Sequence, residues 1–298
     1  MAQSELPLPR ARAVRTWPRP KLTLNTLLFG VLALLSVGML LPLLWMIATA
    51  LKGNDDIYSI PPQFIPRELH WQNFPDGMKA INFGRLLLNS LIITLLTTLG
   101  SVFSSMLVGY GLARIRFPGR QVWFYLFIGS MMLPGIVTLI PLFTLYVRIG
   151  WYDTWWPLIA PAFFGNPFFI FLARQYYLGI PFSFDEAAKM DGAGHWTVFW
   201  QIMVPLTRPV WVAMAIFAFQ ASWNEYLQPL VYLYSDDKWP LSVGIAALSG
   251  SFAGVATTKW NQFMATNLLY ILPPLILFFS AQRYFMAGVG ALGSTSQK

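Results

Sequence analysis

The sequence predicts an all-α, polytopic membrane protein, a single bundle of six transmembrane helices. Three observations carry that prediction. Of 298 residues, 56% are hydrophobic and only 11% charged, with a mean hydropathy of +0.54; a soluble globule of this size cannot cover so much apolar surface, so lipid must be part of its solvent. The apolar residues gather into six runs separated by polar stretches. Assigning those stretches alternately to two sides places thirteen of the twenty Lys and Arg on the side that holds both termini, the bias expected of cytoplasmic loops.

Taken in order, residues 1–21 set Arg10, Arg12, Arg15, Arg19 and Lys21 against one acid, Glu5, and Pro7, Pro9, Pro18 and Pro20 oppose helix. They predict a disordered cytoplasmic tail. The first span is Leu22–Leu51. Ala48-Thr49-Ala50 mimics a signal-peptidase site, but the apolar stretch is about twice the usual length of a signal peptide, so it reads as a retained anchor. Residues 52–84, with Gly53, Pro61, Pro62, Pro66 and Trp71, form an external loop too long for a tight turn. The second span, Leu86–Ala113, carries Ser101, Ser105, Gly109 and Ala113 at four-residue spacing, small residues that let membrane helices approach closely. A basic loop with Arg114, Arg116 and Arg120 follows. The third run, about Val122–Val147, holds Pro134, Gly135 and Pro141, and the fourth, Trp155–Leu172, holds Pro157, Pro161, Gly165 and Pro167. Such breaks are tolerated at membrane depth where neighbours or a water-filled cavity satisfy the freed carbonyls. The fifth span runs from Pro209 to about Tyr234, residues 235–261 form a second external loop, and the sixth span is Ala265–Gln282. One transmembrane domain over residues 22–283, with a short cytoplasmic tail at 284–298, is the economical organisation.

The polar stretch Ser183–Pro209 is the most informative. Ser183 and Glu186 stand at capping-box spacing, so a helix should begin there. Gly192 is placed to end it in a left-handed cap, about two turns later. That helix shows small alanines and two acids, Glu186 and Asp191. Trp196, Phe199, Trp200 and Met203 then recur at helical spacing, predicting one apolar side. A small acidic helix can enter a basic cleft on another protein; equally, it can lie on the membrane surface.

These residues also carry a resemblance. Glu186-Ala187-Ala188, Asp191-Gly192-Ala193, Phe199, Ile202, Pro205-Leu206 and Pro209 resemble the EAA loop of ABC importer permeases, with Val204 where leucine is usual. Over most of Leu22–Gly293 the chain is similar to the carbohydrate-uptake branch, and to its smaller maltose-type permease subunits. The matching segments are Asn89-Ser90-Leu91, Gly109-Tyr110-Gly111-Leu112-Ala113-Arg114, Arg116-Phe117-Pro118-Gly119-Arg120, Trp223-Asn224-Glu225-Tyr226 and Gln282-Arg283-Tyr284-Phe285. The resemblance implies a bacterial cytoplasmic (inner) membrane protein with a second homologous permease, a dimer of ATPase subunits and a periplasmic or extracellular sugar-binding protein as partners. It implies that Glu186, Ala187, Ala188, Asp191, Gly192 and Ala193 couple to the ATPases, which alone would bind ATP and Mg. It also implies that the sugar is held chiefly by the larger permease, which bears on every pathway residue named next.

An ionisable group inside a span is expensive and by default functional. Glu225 is such a group, about 24 Å along the helix from Pro209 at about 1.5 Å per residue. Gln220, Asn224 and Gln228 follow at four-residue spacing and predict a polar stripe on one face, with Trp223 beside it. Amides and an aromatic face suit a hydroxyl-rich solute, while interhelical hydrogen bonding uses the same residues. Two other classes remain open from the residues. A secondary transporter or channel could use Glu225, and a membrane-embedded enzyme could use His70 with the external acids.

Against catalysis, there is no cysteine and no Walker pattern. His70 and His195 stand apart with no second ligand at metal spacing, so no metal site is expected. Gly288–Gly293 spells a dinucleotide fingerprint, but after a membrane helix rather than a strand. No cofactor is expected on this chain. The net charge of +8 does not point to nucleic acid, because the basic residues flank the apolar runs.

Overall fold

The computed structural model describes residues 21–250 and 259–294. The proline-rich N-terminal tail lies outside them. The chain divides into two units, Met1–Met46 and Ile47–Lys298. In chain order the helices are α1 (Lys21–Ala50), α2 (Asn54–Ile57), α3 (Asn73–Ala80), α4 (Phe83–Arg114), α5 (Arg120–Ser130), α6 (Gly135–Arg148), α7 (Trp156–Ile159), α8 (Pro167–Leu178), α9 (Ser183–Met190), α10 (His195–Thr197), α11 (Val204–Leu206), α12 (Arg208–Trp223), α13 (Leu227–Tyr232), α14 (Leu241–Leu248) and α15 (Trp260–Ser294). Among the described residues there is no strand.

Four stretches are long and apolar enough to cross a membrane: Leu24–Ala50, Phe83–Arg114, Trp156–Leu178 and Trp260–Gln282. Two further candidates are bent pairs, α5 with α6 at 98° and His195–Leu206 with α12 at 80°. Four of the six expected spans stand as such stretches, the third is bent within itself, and the fifth differs: the expected Pro209–Tyr234 is divided between α12 and α13, while the bent candidate joins α12 to His195–Leu206, expected to be loop. Pro134, which has no N–H to continue a helix, sits at the first break, and Pro205 and Pro209 flank the second. The last helix also departs from expectation. Its backbone stays helical through Ser294, so the glycines predicted to form a tail lie on helix and cannot make the strand-to-helix turn of a dinucleotide site.

In the first unit, the apolar side chains from Leu24 onward are largely exposed, the surface a span offers to lipid. In the second, α4 is the central element, in contact with α8, α12, α14 and the 3-10 turn Ala160–Phe164. Its small-residue stripe is packed as expected: Ser101, Ser105, Gly109 and Ala113 are all buried. A Cβ on Gly109 would stand 2.8 Å from the Ala173 Cβ and 3.1 Å from the Arg174 backbone N, so only glycine permits this approach. The broken fourth span is repaired by α4 hydroxyls. Ser105 Oγ accepts from Asn166 N at 2.9 Å, and Ser104 Oγ donates to Ala162 O at 3.1 Å. Asn166 in turn caps α8 by accepting from Phe168 and Phe169 N, with Pro167 at the first helical position. The freed backbone groups of the proline-rich segment thus find partners inside the protein. We expect Gly109→Leu to force α4 and α8 apart at a cost of about 1–3 kcal/mol, read as a lower thermal midpoint and lower yield of the purified protein.

Candidate functional site

Two places combine exposed polar chemistry with a rigid frame: the loop at the C-terminal end of α4, and a pocket along its first half.

At the loop, α8 ends and Pro181 leads into α9. The predicted capping box does not form. Ser183 already lies within the first turn, the preceding residue Phe182 is itself helical, and no side chain caps the helix. The backbone of Phe182 O instead receives Asp185 N and Glu186 N at 2.9 and 3.1 Å. Asp185, which sequence reasoning passed over, is buried, and its Oδ2 accepts from Arg114 Nη1 at 2.9 Å. The helix ends as predicted. Gly192 has φ +79°, its N donates to Lys189 O at 3.0 Å and Ala193 N donates to Ala188 O at 2.9 Å, the paired bonds of a glycine-terminated helix. Of the six coupling candidates, Glu186, Ala187, Asp191 and Gly192 are exposed, Ala193 is half-buried, and Ala188 packs into the core beside Ala173, Tyr177 and Phe199. What is offered outward is Glu186, Ala187, Asp191 and Gly192 together with Phe184, Lys189 and Met190.

The piece that follows differs from the predicted amphipathic helix. Val198–Met203 is a π-helix, so the 3.6-residue spacing fails. Phe199 and Met203 go inward, whereas Trp196 and Trp200 remain 59% and 43% exposed.

The pocket corrects the second prediction. Gln220, Asn224 and Gln228 do not form one stripe, because α12 stops at Trp223 and α13 starts at Leu227. Pro229 is the cause. It has no N–H to give Glu225 O, which instead accepts from Ser242 Oγ at 2.7 Å. That proline was visible in the sequence and is the signal that could have located the break. Trp223 is buried, stacked between Phe219 and Tyr270 at 5.6 and 5.5 Å, and its Nε1 donates to Tyr270 O at 3.2 Å. Asn224 Nδ2 donates to Gln220 O at 2.8 Å and to its Oε1 at 3.2 Å, while its Oδ1 accepts from Tyr270 Oη at 3.3 Å. Trp223 and Asn224 are thus tied to Tyr270 of α15, and Gln220 to Asn224.

Glu225 and Gln228 point elsewhere. They line a pocket of about 260 Å³ with Ser90, Thr94, Thr97, Ser101, Asn166 and Ser222. Glu225 is the one ionisable group in that lining. Its Oε1 accepts from Gln228 N at 3.1 Å, which fixes the side chain across the break.

Near Pro240, at the edge of the pocket, the segment after α13 is bonded to α4. Asn89 Nδ2 donates to Asp237 O and Trp239 O, both at 2.9 Å, and Ser90 Oγ accepts from Leu241 N at 2.7 Å. Asp153, at φ +56°, accepts from Tyr234 N, Ser235 N, Ser235 Oγ and Lys238 Nζ at 2.7–3.0 Å. Burial alone would raise the Asp153 pKa, but the Lys238 ammonium and the Ser235 donors outweigh it and hold the carboxyl well below the usual carboxylate range.

The family model described as binding-protein-dependent transport system inner membrane component matches residues 102–291, a span that contains the whole loop 183–209 and the Asn166 and 218–240 side of the pocket. The chain belongs to this family. The permease is 33% identical over 270 residues to the arabinooligosaccharides transport system permease protein AraQ of Bacillus subtilis, covering 89% of this chain and 92% of the relative. It is 31% identical over 269 residues to the sn-glycerol-3-phosphate transport system permease protein UgpE of Pectobacterium atrosepticum, covering 88% and 93%. Its fold matches, at a TM-score of 0.77 and 22% identity over 91% of this chain and 100% of the other, a chain in the crystal structure of a bacterial ABC transporter involved in the import of the acidic polysaccharide alginate. The protein is a multi-pass ABC transporter permease subunit of the inner membrane.

Proposed function

We propose that this permease moves a neutral carbohydrate or related polyol into the cytoplasm, driven by ATP that partner subunits hydrolyse. The observation that carries the coupling reading is α9: a short helix anchored in the core through Asp185 and Ala188, with Glu186, Ala187 and the cap residues Asp191 and Gly192 exposed beside Lys189 and Met190. Such a helix suits a basic cleft on an ATPase subunit, where opposite charges give register and specificity. In this reading residues 183–209 and both termini are cytoplasmic, residues 52–84 and 235–261 face the sugar-binding protein, and a second permease completes the pathway. Closure of the ATPase dimer on ATP moves the coupling helices, and the permease halves rock between inward- and outward-facing states.

The solute class follows from two supports. One relative's name gives an oligosaccharide and another's a phosphate ester. The pocket separates them: hydroxyls and amides exchange hydrogen bonds with a sugar, whereas the single carboxylate repels a phosphate at short range.

One experiment tests both readings. The permease is co-expressed with the ATPase and second permease subunits and reconstituted in vesicles, and uptake of labelled arabino-oligosaccharide is compared with that of sn-glycerol-3-phosphate. The expected result is ATPase recovered with the permease, with uptake of the neutral sugar that needs ATP and binding protein. Uptake by the lone chain, driven by a proton gradient, overturns the importer reading.

A further inference from the structure

In the sequence Arg114 is a positive charge beside a span, at the end of one of the matching segments, where a cation at a helix C-terminus is favourable. Its setting in the structure is more specific. The side chain is fully buried, and that of its partner Asp185 is 9% exposed. Besides the ion pair, Arg114 Nη2 donates to Tyr177 O and Ile180 O at 2.5 and 2.6 Å, carbonyls left over where α8 ends. The guanidinium also lies 4.5 Å over the Phe182 ring. One side chain of α4 therefore grips the end of α8, the lead-in to α9 and the acid in the first turn of α9. One turn earlier on the same helix, Tyr110 Oη donates to His195 O at 3.2 Å, beyond the Gly192–Gly194 turn. The loop is pinned to α4 on both sides of its exposed tip.

The other exit from the loop is held by apolar packing rather than by an ion pair, with Val198, Phe199 and Met203 buried. It passes through the π-helix at Val198–Met203 and an 80° bend before α12. By contrast α4 runs 32 residues without a proline, and its first half carries Ser90, Thr94, Thr97 and Ser101 of the pocket. We propose that the buried Arg114–Asp185 pair is the joint that makes α9 and α4 one rigid body, so that force applied at the loop turns the pocket wall directly. Arg114 and Asp185 are positioning residues. The inference rests on the reading of α9 as the ATPase-docking helix.

The chain has no cysteine, so spin labels can be placed at Met190→Cys and Leu99→Cys, positions 89% and 61% exposed, in the complete complex with its partner subunits, provided that labelled complex still transports. The expected inter-label distance is the same without nucleotide and with ATP. Arg114→Gln should leave the ATPase bound and hydrolysing, broaden the distance distribution and lower solute moved per ATP about tenfold. Arg114→Lys, which keeps the charge, should restore part of the loss. A merely structural role would lower the amount of complex and leave solute per ATP unchanged. A distance that shifts with ATP in the otherwise native complex overturns the joint, as does native solute per ATP in Arg114→Gln. If Arg114→Gln does not assemble, the native-complex distances and Asp185→Asn decide. Failure of the docking reading looks different: ATPase binding and uptake that survive lysine at both Glu186 and Asp191 overturn docking and the joint with it, whatever the labels show.

Discussion

Replacing Glu186 and Asp191 together by lysine is expected to leave the permease inserted at normal levels and to reduce uptake by about 100-fold, equivalent to about 2.8 kcal/mol of lost productive docking. Both side chains are exposed, so neither supports the fold and the loss cannot be charged to unfolding. Magnitude separates this variant from a milder one. An exposed ion pair is worth at most about 1 kcal/mol, so alanine at either position should cost only about fivefold. Lysine places like charges face to face in the proposed cleft, which is far more costly than an absent attraction. Gly192→Pro reaches the same end by another route. Proline fixes φ near about −65°, whereas residue 192 sits at +79°, so the cap cannot form and the tip of the loop must rearrange. Co-purification of the ATPase and vesicle uptake are the measurements. Undiminished association and transport in the double lysine variant would remove α9 from the coupling role.

In the pocket, Glu225→Lys is expected to invert the charge preference, with neutral sugar uptake falling about tenfold and sn-glycerol-3-phosphate becoming the better competitor, since a hydrogen bond to a charged group is worth about 1.5–3 kcal/mol. Gln228→Leu should lower uptake without a change of preference. In both variants ATP hydrolysis stimulated by the loaded binding protein should persist, because the loop is untouched. Asn224→Leu provides the contrast. Its amide is spent on Gln220 and Tyr270, so it should lower the amount of assembled complex and leave transport per complex unchanged. Equal behaviour of Asn224→Leu and Gln228→Leu in transport per complex would contradict the division of these residues between pocket and packing.

What the sequence determined by itself was everything written in local pattern. The apolar runs, the small-residue stripe Ser101–Ala113 and the cap at Gly192 depend on neighbours within a turn or two of helix, or on hydropathy summed over a span; the structure keeps the stripe buried and the cap in place, and gives four of the runs as spanning stretches. The family resemblance was legible in the loop 183–209. Tertiary structure decided the rest. It joined Arg114 to Asp185 across 71 positions, and Asp153 to Lys238 across 85; no spacing rule links residues so far apart. It turned Trp196 and Trp200 outward by winding Val198–Met203 as π-helix, a choice set by what Phe199 and Met203 could bury rather than by periodicity. At residues 220–228 it split one expected stripe into a packing half and a pocket half, since the carbonyl freed by Pro229 found Ser242 on α14. Caps and apolar runs are stabilised within their own segment and so can be seen there, whereas a buried ion pair or a rescued carbonyl becomes favourable only when the fold brings its second partner out of water.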